Sequence, residues 1–122
     1  MTGVLVDTSI WISHFRKGET HLQKLLQGGS VLCHSFVMGE LACGNLGNRD
    51  EILSFLERLP QAPKAEDAEV LRFIERNRLV GSGLGWVDVN LLASAMLAKA
   101  ELWTMDKHLR KASGQLDILY DC

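Results

Sequence analysis

The sequence predicts an α/β fold in which a parallel sheet is covered by helices, and three observations carry that prediction. Short apolar runs alternate with longer segments of helical periodicity. The first run, Gly3–Val6 (GVLV), reads as a buried strand that passes at once into the polar triplet Asp7-Thr8-Ser9. The segment Val87–Lys99 is apolar on nearly all sides, the pattern of a helix buried against a sheet. A chain of 122 residues with 47% hydrophobic and 23% charged residues has ordinary globular composition and room for one domain, residues 1–122.

The elements follow in order. After the first strand, Ile10, Ile12, His14 and Phe15 mark a short helix. Thr20 opens a T-x-x-Q capping box with Gln23 ahead of Leu22, Leu25 and Leu26, and Gly28-Gly29 closes that helix. Val31–His34 is the second strand, and helical signals resume at Phe36–Cys43. Asn48 begins the next helix with an N-x-x-E box to Glu51, followed by Ile52, Phe55, Leu56 and Leu59 as its inward stripe; Pro60 and Pro63 stop it. Ala65–Asn77 is amphipathic, with Val70, Leu71, Phe73 and Ile74 inward. The loop Gly81–Gly85 precedes the buried helix; Glu101–Thr104 is a third strand, Lys107–Ala112 a short helix, and Leu116–Tyr120 a last strand.

A formal net charge of −2 argues against a protein that coats nucleic acid or anionic membrane by bulk charge, so an anionic partner must be met locally. The N-terminus has no basic region ahead of an apolar core, and no apolar run is long enough to span a bilayer, which predicts a cytoplasmic protein with no membrane association. Cys33, Cys43 and Cys122 are odd in number and lack paired zinc spacing, which suits reduced structural thiols.

Four acids resist the simple explanation of a solvated helix face. Asp7 ends an apolar strand, Glu40 lies in the apolar stretch FVMGELACG, Asp88 opens the most apolar helix, and Asp106 follows the strand LWT. In an open parallel sheet the carboxyl ends of the strands share one edge, where these acids can converge. Gathered carboxylates raise one another's pKa unless a cation holds them, and hard oxygen ligands select Mg²⁺ or Mn²⁺. The set therefore points to metal-assisted phosphoryl transfer. Singly, Asp7, Asp88 and Asp106 are as well placed to cap the helices that follow them. Glu40, read as inward, requires a partner. Thr8, Ser9 and Thr104 are placed either to hold water and acids or to cap.

These residues resemble the PIN-domain family, and within it the VapC-type toxin ribonucleases of bacterial toxin–antitoxin pairs. The likeness runs through LVDTSIWI, GELACG, GWVDVNLLASA and LWTMDKHL. It implies a three-layer α/β/α sandwich with a central, mainly parallel sheet, and a Mg²⁺- or Mn²⁺-dependent endoribonuclease that leaves 5′-phosphate and 3′-hydroxyl ends. It also implies an acidic site of Asp7, Glu40, Asp88 and Asp106 supported by Thr8, Ser9 and Thr104, a homodimer, and a small antitoxin covering the acidic groove. Lys107, His108, Arg110 and Lys111 are candidates to meet the RNA backbone, or form a solvated helix face. Trp86 is the best candidate to stack on a base, Trp11 and Trp103 suit core or dimer contacts, and His34 is either a core histidine or an RNA contact.

Two other enzymes on similar sheets fit less well. A haloacid-dehalogenase-like phosphatase needs a second Asp two positions after the first, where Ser9 stands, and a phosphorelay receiver needs an acidic pair near its first strand. The alternative from another class is a non-catalytic RNA- or protein-binding module on the same fold.

Overall fold

The computed structural model describes residues 3–122; Met1 and Thr2, part of the stretch read for a leader, lie outside the described residues. The elements run β1 (Val4–Val6), α1 (Thr8–Lys17), α2 (Thr20–Gln27), β2 (Val31–Leu32), α3 (Ser35–Cys43), α4 (Arg49–Arg58), α5 (Asp67–Arg76), α6 (Trp86–Ala98), β3 (Glu101–Trp103) and α7 (Lys107–Gln115). The sheet is parallel with order β2-β1-β3, pairing Val4 with Val31 and Val6 with Trp103. All of β1 is buried. A strand with no polar face must be covered on both sides, which is why a parallel sheet of this kind is sandwiched by helices. No helix among the described residues is long and apolar enough to cross a membrane.

Several local expectations are corrected. The second strand is shorter than Val31–His34: Cys33 leaves β2 to bridge Gln61, with Cys33 N–H donating to the Pro60 carbonyl and Ala62 N–H to that of Cys33. The two prolines thus stop α4 and also send the chain along the sheet edge. The last strand, Leu116–Tyr120, shrinks to a single parallel bridge between Leu119 and Leu102, because α7 runs on to Gln115. Neither predicted capping box forms: Thr20 is already inside α2 behind Glu19, and Asn48 precedes α4 in the left-handed region (φ 52°) with its side chain unused as a cap. Instead Glu69 returns to the Glu66 N–H at the start of α5. Leu71 faces solvent, not the core, and Phe55, Met96 and Leu97 are also exposed, so α4, α5 and the end of α6 bury narrower stripes than their composition predicts.

His34 is a core histidine, not an RNA contact. It is fully buried, its Nδ1 accepts from Phe36 N–H (3.0 Å) and caps α3, and its Nε2 lies 2.9 Å from Ser94 Oγ on α6. An Nδ1 that accepts fixes the neutral tautomer with the proton on Nε2, so the ring joins β2, α3 and α6 as one unit. Trp11 is wholly buried and stacks on Phe15, while Trp103 is buried edge-on to His21. Of the three free cysteines only Cys33 is buried; Cys43 and Cys122 are exposed, so the structural-thiol reading holds for one of them.

Burial, reinforced by the Lys64 charge, lowers the His34 pKa below its ordinary value of 6.5. The unfolded chain therefore takes up a proton near pH 6.5 that the folded chain refuses, and stability present above that pH is lost as the pH falls through and below it. His34→Asn, which keeps an acceptor for Phe36 N–H, is expected to cost about 1–3 kcal/mol at pH 7.5 and to flatten this acid loss. Urea midpoints at pH 7.5 and 5.5 check it; an equally steep fall in the variant would assign the titration elsewhere.

Candidate functional site

The site forms where β1 and β3 end side by side. Asp7 N–H makes the last rung to the Trp103 carbonyl, while the Asp7 carbonyl accepts from Ile10 and Trp11 in the first turn of α1. Asp7 is thus the hinge between strand and helix, but its carboxylate caps neither. Oδ2 accepts from Thr104 Oγ1 (2.7 Å) and Ser9 Oγ (2.9 Å), and the two hydroxyls in turn accept from Asp106 N–H and Met105 N–H, each at 3.0 Å. With both hydroxyl protons committed to Asp7, the 3.4 Å approach of Ser9 Oγ to Thr104 Oγ1 carries no bond. Among the described residues no side chain donates to Oδ1, which leaves that oxygen of a buried carboxylate available.

Asp106 is both cap and candidate ligand. Its Oδ1 accepts from Leu109 N–H (2.9 Å) at the start of α7, and fully buried Leu109 anchors that turn. Asp88 is the third residue of α6, and its Oδ2 accepts from Gly85 N–H (3.0 Å). Buried Asn90 donates to the Trp86 carbonyl and secures the same turn. Desolvation is the largest influence on Asp88 and raises its pKa; the Gly85 N–H opposes it, Asp106 and Asp7 raise it further, and His108 lowers it. The charges of Asp7 and Asp106 therefore bear on Asp88 through space.

Glu40 is exposed, which corrects its reading as an inward acid. Its partner is Thr8 Oγ1, which donates at 2.6 Å from the first residue of α1. Glu40 thus stands beside the other three acids, tied to the start of α1 through Thr8. Thr8, Ser9 and Thr104 hold the acids themselves. Among the described residues no three acid, histidine or cysteine side chains are close enough to enclose a metal as they stand. The donor chemistry, hard carboxylate oxygens around an open Asp7 Oδ1, still suits a divalent cation.

Lys107, His108 and Lys111 are exposed on α7, whereas Arg110 turns back to the Thr104 carbonyl (3.4 Å) and to Asp121 (3.5 Å). Trp86 is 42% exposed at the first residue of α6. One arrangement escaped sequence reading. Gly83 (φ 84°) lies under the His108 ring, so closely that a Cβ there would come within 3.0 Å of Nδ1. This contact ties the glycine loop before Asp88 to the helix after Asp106. Only the glycine run and the D-x-H spacing foreshadow it.

Residues 4–115 match the family described as the PIN domain. The chain is also 46% identical over 113 residues to Ribonuclease VapC32 of Mycobacterium tuberculosis, in strains CDC 1551 / Oshkosh and ATCC 25618 / H37Rv, covering 92% of this chain and 91% of the relative.

Two variants test the energetics. In Asp88→Asn the amide oxygen still accepts from Gly85 N–H while the charge is gone. Because the folded pKa of Asp88 is raised, its ionised form costs stability above pH 4. The variant is therefore expected to be more stable than wild type at pH 7 by up to about 1 kcal/mol, an advantage that fades as acid protonates the carboxyl. Thermal melts at pH 7 and 4 without divalent ions check it. Gly83→Ala meets both an unfavourable φ and the His108 ring, and is expected to cost about 1–2 kcal/mol in the same melts.

Proposed function

This chain belongs to the PIN-domain family, and we propose that it is an endoribonuclease, the toxin of a type II toxin–antitoxin pair, that hydrolyses RNA phosphodiesters to 5′-phosphate and 3′-hydroxyl ends. The observation that carries this reading is the convergence of Asp7 and Asp106 on Asp88 at the shared edge of β1 and β3, near enough that both charges raise its pKa, with Asp7 Oδ1 left open. The likeness to a ribonuclease over nine-tenths of both chains supports RNA as the substrate class.

Asp7, Asp88, Asp106 and Glu40 would hold Mg²⁺ or Mn²⁺. A cation bound there supplies Lewis-acid activation of water and of the phosphoryl oxygen. The chain's own contribution is positional. Ser9 and Thr104 orient Asp7 by charge-assisted hydrogen bonds, Thr8 steers Glu40, Gly85 N–H fixes Asp88, and the first turn of α7 fixes Asp106. Lys107, His108 and Lys111 line the approach of a polyanion. In the same reading the protein is a single domain acting in the cytoplasm as a homodimer, restrained by a cognate antitoxin that covers the acids.

Purified protein is expected to cleave total RNA only with Mg²⁺ or Mn²⁺ and to stop on chelation. Asp7→Asn and Asp88→Asn should each lose at least roughly 100-fold in rate while melting as folded proteins. Undiminished cleavage by Asp7→Asn would remove the acids from the chemistry, and RNA binding indifferent to metal and to both substitutions would make the protein a binding module.

A further inference from the structure

An open hollow of about 620 Å³ separates α3 from the start of α6, walled by Phe36, Gly39, Glu40, Cys43, Trp86 and Val87. Resting on the ribonuclease reading above, we infer that this hollow is a nucleobase subsite, which receives one unstacked base next to the phosphodiester that is cut.

Five features select that occupant. The hollow is bounded on one side by Glu40 and on another by Trp86 and Val87, immediately before Asp88, so it begins where the proposed reacting phosphate lies. A base joined to that phosphate through one ribose is the part of the substrate that reaches it. Its walls include two aromatic rings: Trp86, 42% exposed at the start of α6, and the half-buried Phe36 on α3. Such faces stack on any base, without requiring a hydrogen-bond code. Gly39 adds no side chain to the wall, and a Cβ built there would meet nothing within 4 Å, so the space beside it is open. The Lys64 ammonium lies over the Phe36 ring, 4.8 Å from its centre, a cation next to one of the lining residues that complements a base carrying its phosphate. The volume falls within the range of small-ligand sites and exceeds what a base alone requires, leaving space for the ribose.

Such a subsite makes the enzyme selective for single strands. Bases in an A-form duplex remain stacked and cannot enter a side hollow, whereas those in loops and ends can be splayed out.

The test uses an oligoribonucleotide with one mapped cleavage site and copies in which each nucleotide flanking that site is made abasic in turn. Wild type is compared with Trp86→Ala, which removes a stacking face, and Gly39→Leu, which extends a side chain into the open space beside Gly39 and keeps the four acids. One abasic position is expected to lower wild-type kcat/KM by roughly ten- to a hundredfold, chiefly through KM, as loss of a stacked base requires. Both variants should show that loss on the intact oligonucleotide, and the abasic change should then add little. Independent, multiplying effects of substitution and abasic position would overturn the subsite while leaving the nuclease reading intact. So would variants that cleave the intact oligonucleotide like wild type; loss of antitoxin inhibition in those variants would then assign the hollow to a peptide. Failure of the wild-type protein to cleave any RNA overturns both.

Discussion

The join between the two strand ends at the candidate site depends on one carboxylate oxygen, Asp7 Oδ2, and the two hydroxyls that bind it. Thr104 follows β3 and Ser9 lies in the first turn of α1, so these bonds join the ends of neighbouring parallel strands through a buried charge. The hydroxyls are themselves oriented by the N–H groups of Met105 and Asp106. The chain of donors thus runs from the backbone after β3 to Asp7. The same turn sets the direction in which Asp106 leaves the sheet. Removing either hydroxyl therefore disturbs two acids, because the bonds that hold Asp7 also fix the backbone carrying Asp106.

Much of this was legible in the sequence, and the reasons differ between residues. Asp7 and Asp106 stand at strand ends, and in a parallel sheet the strand ends are forced together, so position alone identifies them. The same logic located Ser9 and Thr104 without saying which atom they serve, since a hydroxyl after a strand is equally a cap. Glu40 was identified for a wrong reason. The stretch FVMGELACG is apolar enough to imply an inward acid, yet only Val37 and Leu41 of α3 are buried and Glu40 projects beside them. The Gly83–His108 contact and the His34–Ser94 bond were beyond reach, because they join residues 25 and 60 positions apart whose meeting depends on helix packing.

The miscounted elements share one physical cause. A composition that would permit a wider buried face does not compel it: α4, α5 and the last turn of α6 each leave a large apolar side chain in water. Capping signals fail for a related reason. Thr20 and Asn48 carry the right side chains, but Glu19 and a left-handed Asn48 place the helix starts elsewhere, and a cap is set by backbone geometry before side-chain chemistry. The prolines after α4 were read as stops alone, yet the same restriction on φ delivers residues 60–62 in the extended form that the sheet edge accepts.

The overall charge of −2 acquires a different meaning once the acids are sorted. Setting aside Asp7, Glu40, Asp88 and Asp106 leaves eleven acids against thirteen bases, a mildly basic body around an acidic pit. The pit is half rigid and half adjustable. Asp7 and Asp106 are fixed by strands, hydroxyls and a helix start, whereas Glu40 is exposed on α3 and Asp88 follows the glycine loop. In the proposed reading a divalent ion would offset the repulsion among these carboxylates, and the basic body around them would be left to meet a polyanion.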